Sequence, residues 1–158
     1  MLQPFFEWLN NLAVSRAINE SLWIFAVVQA FHLVALAVFA GALLMVDLRL
    51  LGGGFTQQPV ARVARDARPW LIWSLAALVV TGIPQLMSNA SREYFSDYFW
   101  FKMYVLVVAL IFTFTIRQWV AQRDDARATG PVAKLVGLAS IILWSGVAIP
   151  ARLIGLFT

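Results

Sequence analysis

The sequence predicts an all-α integral membrane protein: a four-transmembrane-helix bundle preceded by an N-terminal interfacial amphipathic helix. Three observations predict it. Four apolar stretches are each long enough to cross a hydrocarbon core of roughly 30 Å, which takes about 20 residues at ~1.5 Å rise. The 158-residue chain is 61% hydrophobic with mean hydropathy +0.79. Only 13% of its residues are charged, against about 25% in a soluble domain. The length suits one membrane domain, 1–158, with no soluble module.

Residues 1–18 form the interfacial element. Phe5, Phe6, Trp8, Leu9, Leu12 and Val14 recur every three to four positions among Glu7, Asn10, Asn11 and Arg16, the pattern of a helix lying in the membrane plane. A signal peptide does not fit, because no basic region precedes the apolar part and no small-residue cleavage site comes after it. The first span covers about 21–51. Ser21 is placed to cap it, with Glu20 beside the positive end of the helix dipole. Gly52-Gly53-Gly54 ends it. Val60 to Arg68 reads as a short amphipathic piece, and Pro69 then starts the second span, about 70–87. The third and fourth spans cover about 98–119 and 132–156. All four must be helical, since lipid offers the backbone no hydrogen-bond partner.

Orientation is set by the basic residues. Arg49, Arg62, Arg65, Arg68, Arg117, Arg123, Arg127 and Lys134 fall at one end of the spans; Arg16, Arg92, Lys102 and Arg152 fall at the other. The richer end is expected in the cytoplasm and both termini outside. Trp8, Trp23, Trp70, Trp100 and Trp119 mark the interfaces. A pI near 10.1 does not indicate nucleic-acid binding, because the arginines occupy short connections rather than one solvated face. The absence of cysteine excludes disulfides and thiolate metal sites within the chain.

His32, the only histidine, lies about eleven residues, or roughly 16 Å, into the first span. At that depth a polar side chain needs a partner. Gln29 is one turn away on nearly the same face. One reading makes His32 a haem or metal ligand or a proton relay. The other makes it a neutral imidazole bonded to Gln29 or to a Ser or Thr of another helix. At matching depth the other spans offer Ala77 to Thr81, Val108 to Leu110, and Trp144 with Ser145. None is a good axial ligand, so a haem held at both faces by one chain is not expected. A five-coordinate haem, a His32 pair across a dimer, or a ligand from another subunit remains.

Met87 and Met103 stand at the outer ends of the second and third spans, where thioethers suit Cu(I) or serve as adaptable packing. Lys102 and Arg152 snorkel to the headgroups or bind an anion such as a haem propionate. Asp47 and Arg49 close the first span; Asp47 is expected to pair with Arg65 or Arg68 across the loop or to anchor the helix. Ala37 with Gly41, and Gly137 with Ser140, permit close helix approach. No phosphate loop, paired zinc histidines or catalytic triad is present, so no catalytic residue is assigned.

The run FHLVALAVFAGALLMVDLRLLG resembles the opening signature of a family of small, uncharacterised bacterial four-helix inner-membrane proteins. Those carry a first-span His and a closing Asp-Leu-Arg-Leu-Leu-Gly. The likeness continues through RPWLIWSLAALVVTG, FWFKM and LWSGVAIPARLIG, covering about Ser15 to Leu156. Matched positions are His32, Asp47, Arg49, Arg68, Pro69, Trp70, Gly82, Lys102, Trp144 and Arg152. The resemblance implies a multi-pass inner-membrane protein and no particular activity. A looser likeness extends to copper-resistance D-type and cytochrome b-type four-helix proteins, which use several histidines where this chain has one.

The functional expectation is a module binding b-type haem or quinone for membrane electron transfer. His32, Gln29, Lys102 and Arg152 would form the site. The alternatives are an accessory subunit of a membrane complex and a small copper or solute carrier using His32, Met87 and Met103. The expected surroundings are the lipid bilayer and further copies or other membrane subunits, with no nucleic acid.

Overall fold

The computed structural model describes residues 3–54, 57–122 and 130–157. In chain order these form α1 (Gln3–Asn10), α2 (Ala13–Glu20), α3 (Leu22–Leu50), α4 (Val60–Ser88), α5 (Ala90–Tyr94) and α6 (Asp97–Phe112). A π-helical turn (Thr113–Arg117) leads into α7 (Gln118–Ala121), and α8 (Pro131–Phe157) completes the chain. Four continuous helical stretches are long and apolar enough to cross a membrane, which makes this a multi-pass membrane fold.

The N-terminal segment differs from the single helix expected. It is two short helices, broken at Asn11 and Leu12. They are also docked rather than lying alone. Phe6 is buried with Ala90 and Phe99, and Ser15 Oγ donates to the Met87 carbonyl at 2.7 Å. That carbonyl lies in the last turn of α4, where no intrahelical N–H reaches it. Phe5 and Trp8 stay exposed and stack on each other, which suits an interfacial outer face.

Ser21 caps α3 as expected, accepting from the Ile24 N–H. The helix stops where Gly52 (φ 86°) and Gly54 (φ 62°) adopt left-handed backbone. In α4 the expected break at Pro69 is absent: Val60–Ser88 is one helix of 29 residues. Pro69 removes one backbone bond, to the Arg65 carbonyl, within an exposed stretch where water or headgroups replace it.

The third span contains the π turn, which the apolar pattern does not announce. Thr115 Oγ1 donates to the Ile111 carbonyl, competing for the acceptor that the regular ladder uses. The extra residue turns the remainder of the span by about 100°. Arg117 is thereby carried into the core.

The helices pair. α3 packs along α4 and α6 along α8, and the two pairs meet chiefly where α3 crosses α8. The main core lies at the end bearing the α3–α4 loop: Phe39, Leu43, Val46 and Leu50 with Val60, Val63, Leu71 and Val120. Gly137 permits the crossing there, since a Cβ on it would lie 3.1 Å from the Asp47 carbonyl and 3.2 Å from Leu50 Cβ. Ala37 and Gly41 serve no such contact within the chain. Both are exposed, and nothing lies within 4 Å of a Cβ built on Gly41.

Candidate functional site

The two ends of the bundle differ in packing. Toward the end bearing α1 and α2, no described side chain is buried from Trp23 to Val34, from Leu75 to Met87, from Trp100 to Val108 or from Ile141 to Ile149. These stretches are the halves of the four spans nearer α1 and α2. His32 is among the half-buried side chains, on α3.

His32 Nδ1 lies 2.8 Å from Thr81 Oγ1 on α4. Thr81 Oγ1 donates to the Ala77 carbonyl at 2.7 Å, with a longer approach to Leu78 O at 3.4 Å. A hydroxyl carries one proton. With that proton directed to its own helix, Thr81 receives from the ring, and Nδ1 is the protonated nitrogen. In the neutral ring Nε2 then keeps its lone pair. Gly82 makes room for the ring: a Cβ there would lie 3.5 Å from His32 Cε1, in ordinary contact.

The ring's partner is thus Thr81 and not Gln29, which is half-buried one turn earlier. Lys102 on α6 is also half-buried. Arg152 belongs to α8, and its side chain lies outside the described ones. Met87 lies six residues beyond Thr81, about 9 Å along α4, and Met103 is on an exposed part of α6. The structure brings His32 and Thr81 together and does not bring Met87 to His32. Among the described residues, no three of His, Cys, Asp and Glu converge as a metal cluster.

A second polar cluster sits in the packed half. Arg117 Nε donates to Asp47 Oδ1 at 2.6 Å, and both side chains are almost wholly buried. Arg117 Nη2 donates to the Leu43 carbonyl at 2.8 Å. Ser140 Oγ donates to Asp47 Oδ2 at 2.8 Å. One turn away, Trp144 Nε1 donates to Thr113 Oγ1 at 3.0 Å, and its ring meets Phe39 edge-on at 4.7 Å. Both Asp47 oxygens are engaged, and α3, the π turn and α8 are tied together. This corrects the expected pairing of Asp47 with Arg65 or Arg68. Those arginines occupy exposed positions of α4, whereas the π turn aims Arg117 inward. Arg117 also ceases to be a loop charge for orientation. Arg123 and Arg127 lie outside the described residues. Arg49 is buried and donates through Nε to the Gln58 carbonyl at 2.8 Å, folding the loop onto its helix.

Sequence reasoning left the partner of His32 open between Gln29 and a Ser or Thr of another helix, and the structure has the second, Thr81. The small-residue contact of Gly137 was also reached, whereas Arg117 was missed as the partner of Asp47. Thr81 had a usable signal: it is a polar residue of the second span at the depth of His32. The Thr-Phe-Thr before Arg117 was a weaker one.

The chain matches the model of a family of unknown function (DUF6644) over residues 5–157, and it belongs to that family. No protein of curated function and no solved structure matches it.

Proposed function

We propose that this DUF6644 protein is a membrane-embedded module for electron transfer whose ligand is b-type haem, taken at His32 Nε2. The single observation behind the reading is the hydrogen bond between His32 Nδ1 and Thr81, whose own proton goes to Ala77 O, so that in the neutral ring Nε2 is the nitrogen with the lone pair. That tautomer, fixed by a hydrogen bond from the other ring nitrogen, is the form that ligates iron. A quinone carbonyl fits less well, because it needs a donor where Nε2 offers an acceptor. A quinol hydroxyl would be accepted.

Lys102, half-buried on α6, would supply positive charge for a haem propionate, and Arg152 is assigned the same role from α8. Gln29 borders the ring. His32 would be the chain's one histidine ligand to such a group, and any further ligand would come from a second copy or another subunit. The module carries electrons and performs no bond chemistry of its own. We place it in a bacterial inner membrane with the arginine-rich end in the cytoplasm and both termini periplasmic.

Visible spectra of protein purified in mild detergent, oxidised and reduced, test the reading. The expected result is a Soret band that His32→Ala abolishes. A colourless protein that takes up no added haemin contradicts it. The second reading, an accessory subunit, draws on the outer half of α3, whose unburied side chains from Trp23 to Val34 form a face for another helix. Colourless protein that co-purifies with a membrane partner would favour it. The carrier reading is weakest, because Met87 is displaced along α4 from His32; copper binding lost in both Met87→Ala and Met103→Ala would revive it.

A further inference from the structure

A line of polar side chains runs along the α3–α4 pair. On α4, Thr81, Gln85 and Ser88 recur at three- to four-residue spacing and share one flank, and Asn89 follows where the span ends. On α3, Gln29 precedes His32 by one turn. His32 meets Thr81. From that contact the two helices run together toward the end bearing α1 and α2, and each presents a glutamine one turn on. Ser88 is buried and the other five are half-buried.

Most of these groups are tied to their own helix. Thr81 Oγ1 donates to the Ala77 carbonyl, Ser88 Oγ to the Gln85 carbonyl at 2.9 Å, and Asn89 Nδ2 to Ser88 Oγ at 3.0 Å. The glutamines are left short. A side-chain amide has two N–H donors and an oxygen with two lone pairs. Among the described residues, the Gln85 amide makes one hydrogen bond, to the Thr81 carbonyl at 3.3 Å, and the Gln29 amide makes none. Gln29 lies about eight residues, or roughly 12 Å, past Ser21. An amide without partners at that depth in hydrocarbon is costly. Its partner must be small, must both donate and accept, and must fit between side chains of two packed helices. Water meets all three needs.

We propose that this polar line is a water route from the membrane face bearing α1 and α2 to the Thr81 edge of His32. It lets the Nδ1 proton exchange with water although the ring lies deep in its span. The route does not depend on what Nε2 takes, because it approaches the ring from the other nitrogen.

The chain has no cysteine, so single cysteines report water one position at a time. Each variant is placed in lipid nanodiscs and treated with a small charged thiosulfonate, which reacts with thiolate in water and does not enter hydrocarbon. Thr81→Cys is compared with Ile83→Cys, and Gln29→Cys with Val27→Cys. Ile83 and Val27 are exposed on other flanks of the same helices. Each is also nearer the α1 and α2 end than its counterpart, so depth alone favours labelling of Ile83→Cys and Val27→Cys. The expected result is labelling of Thr81→Cys and Gln29→Cys at least tenfold faster. Adding Gln85→Leu to Thr81→Cys should slow its labelling at least fivefold, because an apolar side chain then interrupts the line. The Gln29 pair leaves the His32–Thr81 bond intact and decides the matter if Thr81→Cys is unstable. Rates at Thr81 and Gln29 no faster than at Ile83 and Val27 overturn the proposal. So does a Thr81→Cys rate indifferent to Gln85→Leu, since water would then reach the ring by another way.

Discussion

The two halves of the bundle are built from similarly apolar helices, yet they treat polar groups in opposite ways. In the packed half, Asp47 meets Arg117 and Ser140, and both carboxylate oxygens are bonded. In the loosely filled half, His32 meets Thr81 through Nδ1 and keeps Nε2 available. The first arrangement joins three helices and has nothing left to offer a ligand. The second holds one ring nitrogen and leaves the other as the place where the proposed ligand would be taken.

Breaking the closed cluster should have the largest effect. Arg117→Leu leaves Asp47 buried without its cation, and the expected loss is about 3–5 kcal/mol, read as a fall in Tm in detergent. Asp47→Leu/Arg117→Leu removes both charges and should recover most of that loss. A double variant as unstable as the single one would mean that the pair does more than neutralise itself.

The two close glycines sharpen the contrast. Gly137→Ala pushes a methyl group to 3.1 Å from the Asp47 carbonyl, 3.2 Å from Leu50 and 3.3 Å from Leu51. Overpacking there should cost about 1–3 kcal/mol. Gly82→Ala meets His32 Cε1 at 3.5 Å. It should be neutral, or stabilising by up to about 1 kcal/mol through helix propensity. Between these falls Thr81→Val, which removes the acceptor from the ring N–H. Its expected stability loss is about 1 kcal/mol, with haem affinity falling roughly 10–100-fold as the ring loses its orienting partner. If Thr81→Val left haemin binding unchanged, the tautomer lock would have no part in the site.

Much of the fold was legible because the spans are written in composition. Ser21 and the triple glycine also placed the ends of α3 closely. The failures share a cause: they depend on one side chain's reach rather than on a pattern. Pro69 looks like a helix start, but an exposed turn absorbs its missing N–H. Thr115 rephases α6 through one hydrogen bond to Ile111, and hydropathy has no term for that. Arg117 then moves from an expected loop charge to the core. At the candidate site, His32 stood out as the sole imidazole. Its partner was narrowed to Gln29 or a Ser or Thr of another helix, and only the packing of α3 on α4 selects Thr81. The two-part N-terminal segment was read as one helix because its apolar spacing continues across the break at Asn11.

The central claim concerns the protonation of one ring, and a single histidine makes it directly measurable. Nitrogen NMR of protein carrying isotope-labelled histidine, in detergent or lipid at neutral pH and without added ligand, reports His32 alone. The expected spectrum shows a protonated Nδ1 and an unprotonated Nε2, with the Nδ1 signal shifting in Thr81→Val. A ring protonated at Nε2 with a bare Nδ1 would contradict it.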